Sequence, residues 1–273
     1  MESTINFFYH KTILITGGGG YLCSKLSEKM VPTEALIYLC DVNFNDLARS
    51  LSENHSNVKI IETDLTKKEQ VNEVCIKINP DFIYHFAALL NRKRDFSIYP
   101  RLYEVNVKGT LNLLEALLPI PYMRFFFSSS SEVYGNKNRS PFYEEQLPSP
   151  PSPYSLTKLI SENVIKTYSE INHKPYTILR LFNFFGPDMP ENFFINQLIA
   201  ALKRNEIFEM TEGMQKRDFL YIDDLINLII EICKSERSVG EIINICSGKG
   251  IKLKDLAMEI AVIHKKEHLL KIM

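Results

Sequence analysis

The sequence predicts an α/β fold, a doubly wound parallel sheet with helices on both faces, and three observations point to it. Short apolar runs alternate with helical patterns along most of the 273 residues, as repeated strand–helix–strand units require. Several runs, among them Phe82–Phe86 and Arg124–Ser128, are continuous β-branched or aromatic stretches, as expected of strands buried on both faces. The first run ends in clustered glycines that open a helical pattern.

Strands are expected at Thr12–Thr16, Leu36–Cys40, Val58–Glu62, Phe82–Phe86, Arg124–Ser128 and Thr177–Leu181, with another near Ile242–Cys246. Helices are expected at Leu22–Met30, Lys67–Lys77, Tyr103–Leu117, Ser155–Ile171, Phe194–Arg204, Asp223–Lys234 and Leu253–His264. Right-handed crossovers then give a Rossmann-like sheet. Residues 1–182 are expected to form the main domain and 183–273 a small C-terminal region, with 215–247 returning to the main domain. Pro141–Pro153, rich in Pro, Ser and Glu, reads as a surface loop feeding the helix near Tyr154.

Composition narrows the partners. A formal charge of −1 gives no electrostatic reason to expect nucleic acid or an anionic membrane. No apolar run approaches the length that spans a bilayer, and Met1–Asn6 lacks the pattern of a signal peptide, so the chain is expected to be cytoplasmic. The five cysteines, Cys23, Cys40, Cys75, Cys233 and Cys246, are scattered through apolar segments. They read as reduced core thiols, with neither a disulfide set nor a metal site.

The chemistry begins at Thr16–Leu22, which reads T-G-G-G-G-Y-L directly behind the first strand. Glycines there allow a tight turn and bring backbone N–H groups to a pyrophosphate at the helix N-terminus, which points to Gly17, Gly20, Tyr21 and Leu22. Asp41 ends the second strand, where a carboxylate binds the adenosine ribose hydroxyls and repels a 2′-phosphate, so NAD is favoured over NADP. In the spacing G-x-x-G-x-x-G the third place is Cys23, and its small side chain is expected to shift the helix slightly without loss of binding.

Further along, the strand at Arg124 runs into Ser128-Ser-Ser-Ser-Glu-Val-Tyr-Gly135, which delivers hydroxyls to the C-terminal sheet edge where ligands bind. Tyr154-Ser-Leu-Thr-Lys158 then puts a phenol and an ammonium on one helix face. A phenol of pKa ~10 is only about 0.1% ionised at neutral pH, and a neighbouring cation lowers that pKa by ~1–3 units. A serine hydroxyl can hold a substrate oxygen while Tyr154 moves its proton. A second Tyr-x-x-x-Lys pair, Tyr21 and Lys25, is set aside because Tyr21 belongs to the glycine loop.

From about Lys11 to Ile263 the chain resembles the extended short-chain dehydrogenases/reductases that act on nucleotide sugars, the NAD-dependent epimerase/dehydratase group. The resemblance rests on motifs in order: Thr16–Leu22, Asp41, Asp64-Leu65, His85–Ala88, Asn106–Thr110, Ser128–Gly135, Ser152–Lys158, Arg180–Pro187, Arg217–Phe219 with Asp223-Asp224, and Ile243–Gly248. It implies that Ser130, Tyr154 and Lys158 form the catalytic set, Ser130 standing four residues before Tyr134. Lys158 would also bond the nicotinamide ribose. Asp64 and Leu65 would flank the adenine, Phe86, Ala87, Ala88 and Leu89 would line the cofactor, and Asn106 is counted with them. Phe182 would lie near the nicotinamide, with Asn183 and Arg217 at the sugar diphosphate. Plainer readings stand beside these: Asp64 as a helix cap, Asn106 as a backbone brace, His85 as a packed strand-end histidine, and Asp223 and Asp224 as helix-dipole partners.

The family takes a hydride from a sugar carbon to NAD and leaves a keto sugar. Asp41 supports NAD kept as a recycled cofactor, hence a redox-neutral reaction. Glu132, counted with the catalytic residues, follows the catalytic hydroxyl by two places, as in the family's 4,6-dehydratases and glucuronate decarboxylases and in epimerases too, but Ser131 stands where the dehydratases carry an Asp. Glu132 can also simply satisfy backbone at a strand end. A 4-epimerase ranks first, then a decarboxylase, a ketoreductase and a 4,6-dehydratase. Members usually continue further beyond the Ile243–Gly248 motif, so a compact or truncated member is expected, and a non-catalytic NAD-binding protein stays open. The resemblance also implies a homodimer built on the helices at Tyr103–Leu117 and Ser155–Ile171.

Overall fold

In the computed structural model, which describes residues 2–91 and 93–273, the apolar runs form strands close to the expected places. In chain order the strands are β1 (Thr12–Thr16), β2 (Leu36–Asp41), β3 (Val58–Glu62), β4 (Phe82–His85), β5 (Arg124–Ser130), β6 (Tyr176–Leu181), β7 (Asn183–Phe185), β8 (Phe208–Met210), β9 (Lys216–Tyr221), β10 (Ile242–Ile245), β11 (Gly250–Lys252) and β12 (Leu270–Ile272). The α-helices are α1 (Glu2–Phe8), α2 (Tyr21–Met30), α3 (Asp46–Asn54), α4 (Lys68–Ile78), α5 (Tyr99–Leu102), α6 (Gly109–Ala116), α7 (Pro153–Asn172), α8 (Phe194–Lys203), α9 (Ile222–Lys234) and α10 (Leu253–Ile263).

Two compact units divide the chain: residues 1–181 with 228–245, and residues 182–227 with 246–273. The segment that returns to the first unit is therefore 228–245, shorter than the expected 215–247. The reason is local: β9 pairs with β7 and β11 inside the second unit.

The first unit is built on a seven-stranded parallel sheet in the order β10-β6-β5-β4-β1-β2-β3. Chain order runs outward in opposite directions from the β1–β4 pair, which makes that pair the topological switch point, the place at which open α/β sheets bind ligands. Both faces are buried. Leu14, Ile83, Phe125, Phe127 and Ile178 pack with Val71 and Cys75 of α4, Leu113 and Leu114 of α6, and Ile165 of α7. By the two-residue alternation of a strand, Tyr84 and Phe126 point to the opposite face, where they pair in register and stack with ring centroids 4.9 Å apart. Phe8 of α1, a helix the sequence pattern does not mark, seats its ring 5.6 Å from Phe82.

The expected helix at Tyr103–Leu117 is interrupted. Residues Tyr103–Lys108 form a π-helical turn before α6. There the Asn106 carbonyl accepts from Thr110 Oγ1 at 2.6 Å and from Ser161 Oγ at 3.0 Å.

The second unit has its own core of Ile195, Leu198, Leu202, Phe208, Met210, Ala257 and Ile260. Its strands form a three-stranded sheet, β11-β9-β7, and a β12–β8 pair. Among the described residues no helix is long and apolar enough to cross a membrane.

Phe126→Ala removes a fully buried ring from the middle of the sheet. It is expected to lower stability by about 3–5 kcal/mol, read as a lower midpoint in chemical denaturation with an unchanged slope.

Candidate active site

The glycine loop closes on itself and on its neighbours. Gly20 N–H donates to Gly17 O at 2.9 Å, and Gly18 N–H donates to Cys40 O at 3.2 Å. Gly17 has φ +75, and a Cβ there would lie 2.7 Å from Ala87 N. At Gly19 a Cβ would fall 1.7 Å from Asn43 O, so neither position admits a side chain without a shift of backbone. No side chain caps the first turn of α2, which starts at Tyr21 behind this loop. A bare helix N-terminus at the switch point fits a pyrophosphate. Cys23, at the third-glycine place, is buried with Sγ 3.9 Å from Thr16 O, so the thiol fills the gap between α2 and β1. Burial pushes that thiol up, out of the range in which it ionises at neutral pH.

Asp41 ends β2 with its carboxylate on the loop: Oδ2 accepts from Gly19 N–H at 3.0 Å and Oδ1 from Val42 N–H at 2.7 Å. The negative charge at the mouth of the loop is thereby fixed in direction, as ribose recognition requires.

Asp64 accepts from Thr66 N–H at 2.9 Å and Thr66 Oγ1–H at 2.8 Å, closing a turn on itself. Desolvation, the largest single influence, pushes its carboxyl up, but the two Thr66 bonds together with the charges of Lys67 and Arg101 outweigh it and hold the group below the usual range. Leu65 points into the core, and its carbonyl accepts from Asn112 Nδ2 at 2.9 Å. After β4, Phe86 is buried, Ala87 is half-buried and Ala88 and Leu89 are exposed at the C-terminal edge.

His85 is locked as a neutral tautomer. Thr110 gives its hydroxyl proton to Asn106 O, so it accepts from His85 Nε2–H at 2.8 Å. His85 Nδ1 is then the acceptor for Thr16 Oγ1–H at 2.7 Å. Burial, and then the charge of Lys158, drives this imidazole down to about 3. It is a clamp between β1, β4 and α6, not a base. Asn106 is a brace of the same kind: Oδ1 accepts from Leu89 N–H at 2.7 Å, and Nδ2 donates to Leu89 O at 3.2 Å and to Thr157 Oγ1 at 3.0 Å. Its amide is thus committed to protein partners.

Ser130, Tyr154 and Lys158 are brought to one edge of the sheet. Ser130 is the last residue of β5, and its Oγ accepts from Glu132 N–H at 3.1 Å, capping a short 3-10 turn over Ser131–Tyr134. Tyr154 sits half-buried in the first turn of α7, whose start is fixed by a Ser152/Ser155 capping box with Pro153 at the first position. Glu132 accepts from Ser152 Oγ–H, so the turn after Ser130 is tied to the residue that starts the tyrosine helix. Lys158 lies one turn beyond Tyr154, fully buried, with Nζ donating to Ser128 O at 2.6 Å and 4.7 Å from the Phe127 ring centroid. Desolvation pulls it down to about 7, with the charge of Glu162 opposing.

In the second unit, Asn183 and Arg217 lie on adjacent strands. Asn183 Nδ2 donates to Asp218 O at 3.1 Å, and the exposed Arg217 donates through Nη1 to Lys216 O at 2.9 Å. Phe182 precedes β7 and is half-buried. The sequence reading gives no role to Glu162, although positions 154, 158 and 162 share one helix face and a carboxylate on it is visible in the sequence.

A glycine-turned dinucleotide cradle beside a Ser/Tyr/Lys edge defines a nicotinamide-dependent enzyme of the short-chain dehydrogenase/reductase class. The chain belongs to the NAD dependent epimerase/dehydratase family, whose model matches residues 13–246. It is 32% identical to a UDP-N-acetyl-alpha-D-glucosaminuronate decarboxylase of Bacillus cytotoxicus over 92% of this chain and 79% of that protein. It is 28% identical to the dTDP-D-glucose 4,6-dehydratase of Homo sapiens over 94% of this chain and 74% of that one. The UDP-glucuronic acid 4-epimerase of Bacillus cereus, solved with UDP-glucuronic acid and NAD, superposes with a TM-score of 0.87 at 27% identity, covering 96% of this chain and 85% of that one. The protein is therefore an NAD-dependent enzyme that modifies nucleotide sugars.

Asp41→Gly removes both the charge that repels a 2′-phosphate and the bond to Gly19 N–H. Calorimetry is expected to show NAD binding weakened by about tenfold and the preference over NADP narrowed. NADP preferred by the unaltered protein would contradict the role of Asp41.

Proposed function

We propose that the chain is a nucleotide-sugar 4-epimerase that works through a transient 4-keto sugar. The observation that carries this reading is the state of the two positions that follow Ser130. Glu132 is committed to Ser152, and Ser131 occupies the place of the acid that the family's dehydratases use. Elimination of water needs its own acid and base at neighbouring carbons, whereas epimerisation needs one proton shuttle at one oxygen.

The cradle fits NAD on the grounds already given: side chains are excluded at Gly17 and Gly19, the first turn of α2 has no side-chain cap, and Asp41 is aimed by Gly19. Gly17, Gly20, Tyr21 and Leu22 would hold the pyrophosphate and Asp41 the adenosine ribose, with Ala87 and Ala88 alongside. Phe182 is assigned to the nicotinamide and Lys158 to its ribose. Bound NAD supplies a hydride acceptor that can give the hydride back, so no outside reductant is consumed.

Ser130 already accepts a backbone N–H, which leaves its own proton for a sugar oxygen. Tyr154 takes the proton of the sugar 4-hydroxyl as the carbonyl forms and returns it as the carbonyl is reduced. The cation of Lys158 lowers the cost of the phenolate that takes this proton and is regenerated when the proton is returned. Asn183 and Arg217 are assigned to the diphosphate, an anion suited to a guanidinium fork.

Decarboxylation is the second reading. It is favoured by the order Ser130-Ser131-Glu132 and by the 32% identity to the glucosaminuronate decarboxylase. A 4-keto uronic acid loses carbon dioxide as a β-keto acid, and the enolate left behind takes one proton at carbon from water, so the step needs no base of its own.

Incubation with a panel of UDP-, dTDP- and GDP-sugars, read by mass and NMR, tests both. Inversion at one carbon with no mass change supports the epimerase, loss of carbon dioxide supports the second reading, and loss of water contradicts both. Tyr154→Phe is expected to cut turnover at least about a thousandfold while NAD still binds. A near-normal rate in that variant would remove Tyr154 from the chemistry.

A further inference from the structure

Helix α7 carries a third ionisable group on the face that bears Tyr154 and Lys158. Glu162 follows Lys158 by one turn, is 1% exposed, and takes no part in the proton transfer above. Its carboxylate is gripped from two strands. Ser129 Oγ of β5 donates to Oε1, Arg180 Nε of β6 donates to Oε1 at 3.1 Å, and Arg180 Nη2 donates to Oε2 at 2.8 Å. Arg180 is itself buried, with its guanidinium 4.8 Å from the Tyr134 ring centroid and Nη1 donating to Glu144 O at 3.3 Å. A buried carboxylate with this many donors is fixed in place as well as paired.

We propose that Glu162 is a positioning residue for Lys158: its carboxylate, held by Ser129 and Arg180, is the counter-charge that keeps the Lys158 ammonium protonated in its dry seat and so sets the charge that Tyr154 feels. The groups around Lys158 come from four elements. From β5 it meets the Ser128 carbonyl and the Phe127 ring. His85 of β4 and Cys23 of α2 are coupled to it through charge, and Tyr154 and Glu162 flank it on α7 itself. Burial keeps His85 and Cys23 neutral, the first by lowering its pKa and the second by raising it. Glu162 is therefore the ionised partner that opposes the desolvation of Lys158. Without it, burial loses its largest opposing influence, and Lys158 becomes a neutral amine at lower pH.

This inference rests on Lys158 serving Tyr154, but its test needs no turnover. Lysine labelled at the side chain is followed by NMR through a pH titration of the NAD-loaded protein, with the Lys158 signal assigned by its loss in Lys158→Met. In Glu162→Gln the midpoint of that signal is expected to fall by about one pH unit or more, and Glu162→Asp is expected to recover part of the difference. An unchanged midpoint in a folded Glu162→Gln protein overturns the proposal. Because that variant leaves Arg180 buried without its partner, the double variant Glu162→Gln/Arg180→Met is measured beside it, and a downward shift of smaller size is expected there, since a cation leaves with the carboxylate. Collapse of both proteins would assign the pair to stability alone and overturn the positioning role. A nucleotide-sugar panel that yields no product would end the epimerase reading while this titration still stands or falls by itself.

Discussion

The buried ammonium of Lys158 on the Ser128 carbonyl is the interaction around which the C-terminal edge of the sheet is arranged. Burial takes this lysine from 10.5 to about 7, so holding it costs folding about 5 kcal/mol at order of magnitude. For a cation whose folded-state pKa is lowered, that cost is fully present below about pH 7 and fades as pH rises toward 10.5. The surroundings offset it by anchoring α7 along its length. Glu132 holds Ser152 at the helix start, Ser128 takes Lys158 in the second turn, and Ser129 and Arg180 take Glu162 one turn on. A helix fixed at such short intervals cannot slide or rotate on β5, and that rigidity keeps Tyr154 in register with Ser130.

The second constraint is the adjacency of β1 and β4 where the strand order reverses. It brings the exits of two strands together, so the glycine loop after β1 meets the Phe86–Ala87 backbone after β4. The neutral His85 between Thr16 and Thr110 ties both exits to α6, and Asn106 carries the connection on to Thr157 of α7. An unbroken chain of hydrogen bonds therefore runs from the strand that leads into the glycine loop to the helix that carries Tyr154. Each member is satisfied, which is the condition under which a buried polar network adds rigidity and costs little.

Much of this was legible in the sequence, because parallel strands buried on both faces announce themselves as continuous apolar runs, and the glycine cluster and Asp41 mark the cradle. Other parts were not. The helix α3 is short and mostly polar, so its apolar stripe reduces to Ala48 and Leu51, although Asn45 caps it by accepting from Ala48 N–H. The strands of the second unit are three to six residues long, too short for a period of two to stand out from loop. Motif position marked Asp64 and Leu65 as adenine neighbours. What stands there is the plainer physics, a carboxylate that closes its own turn and a leucine that fills the core. Glu162 was passed over for the opposite reason: a lone glutamate in a helix reads as solvated, and only the approach of Ser129 and Arg180 from two strands shows it to be buried.

The serine run shows how one strand end can meet several demands at once. Alternation along β5 sends Phe125, Phe127 and Ser129 toward α7, so the hydrophobic face continues as a hydroxyl at the point where Glu162 needs a donor. Ser128 contributes its carbonyl to Lys158, a bond that any residue type could supply. Ser130 stands where the ladder stops, half-buried, with one lone pair given to the Glu132 N–H and its proton still to place. The hydroxyls are therefore not interchangeable. The strand's end decides which of them is left at the sheet edge, and the four-residue spacing to Tyr134 locates that end because Tyr134 closes the 3-10 turn and bonds Asn244 Oδ1 at 2.7 Å on β10, beyond β6.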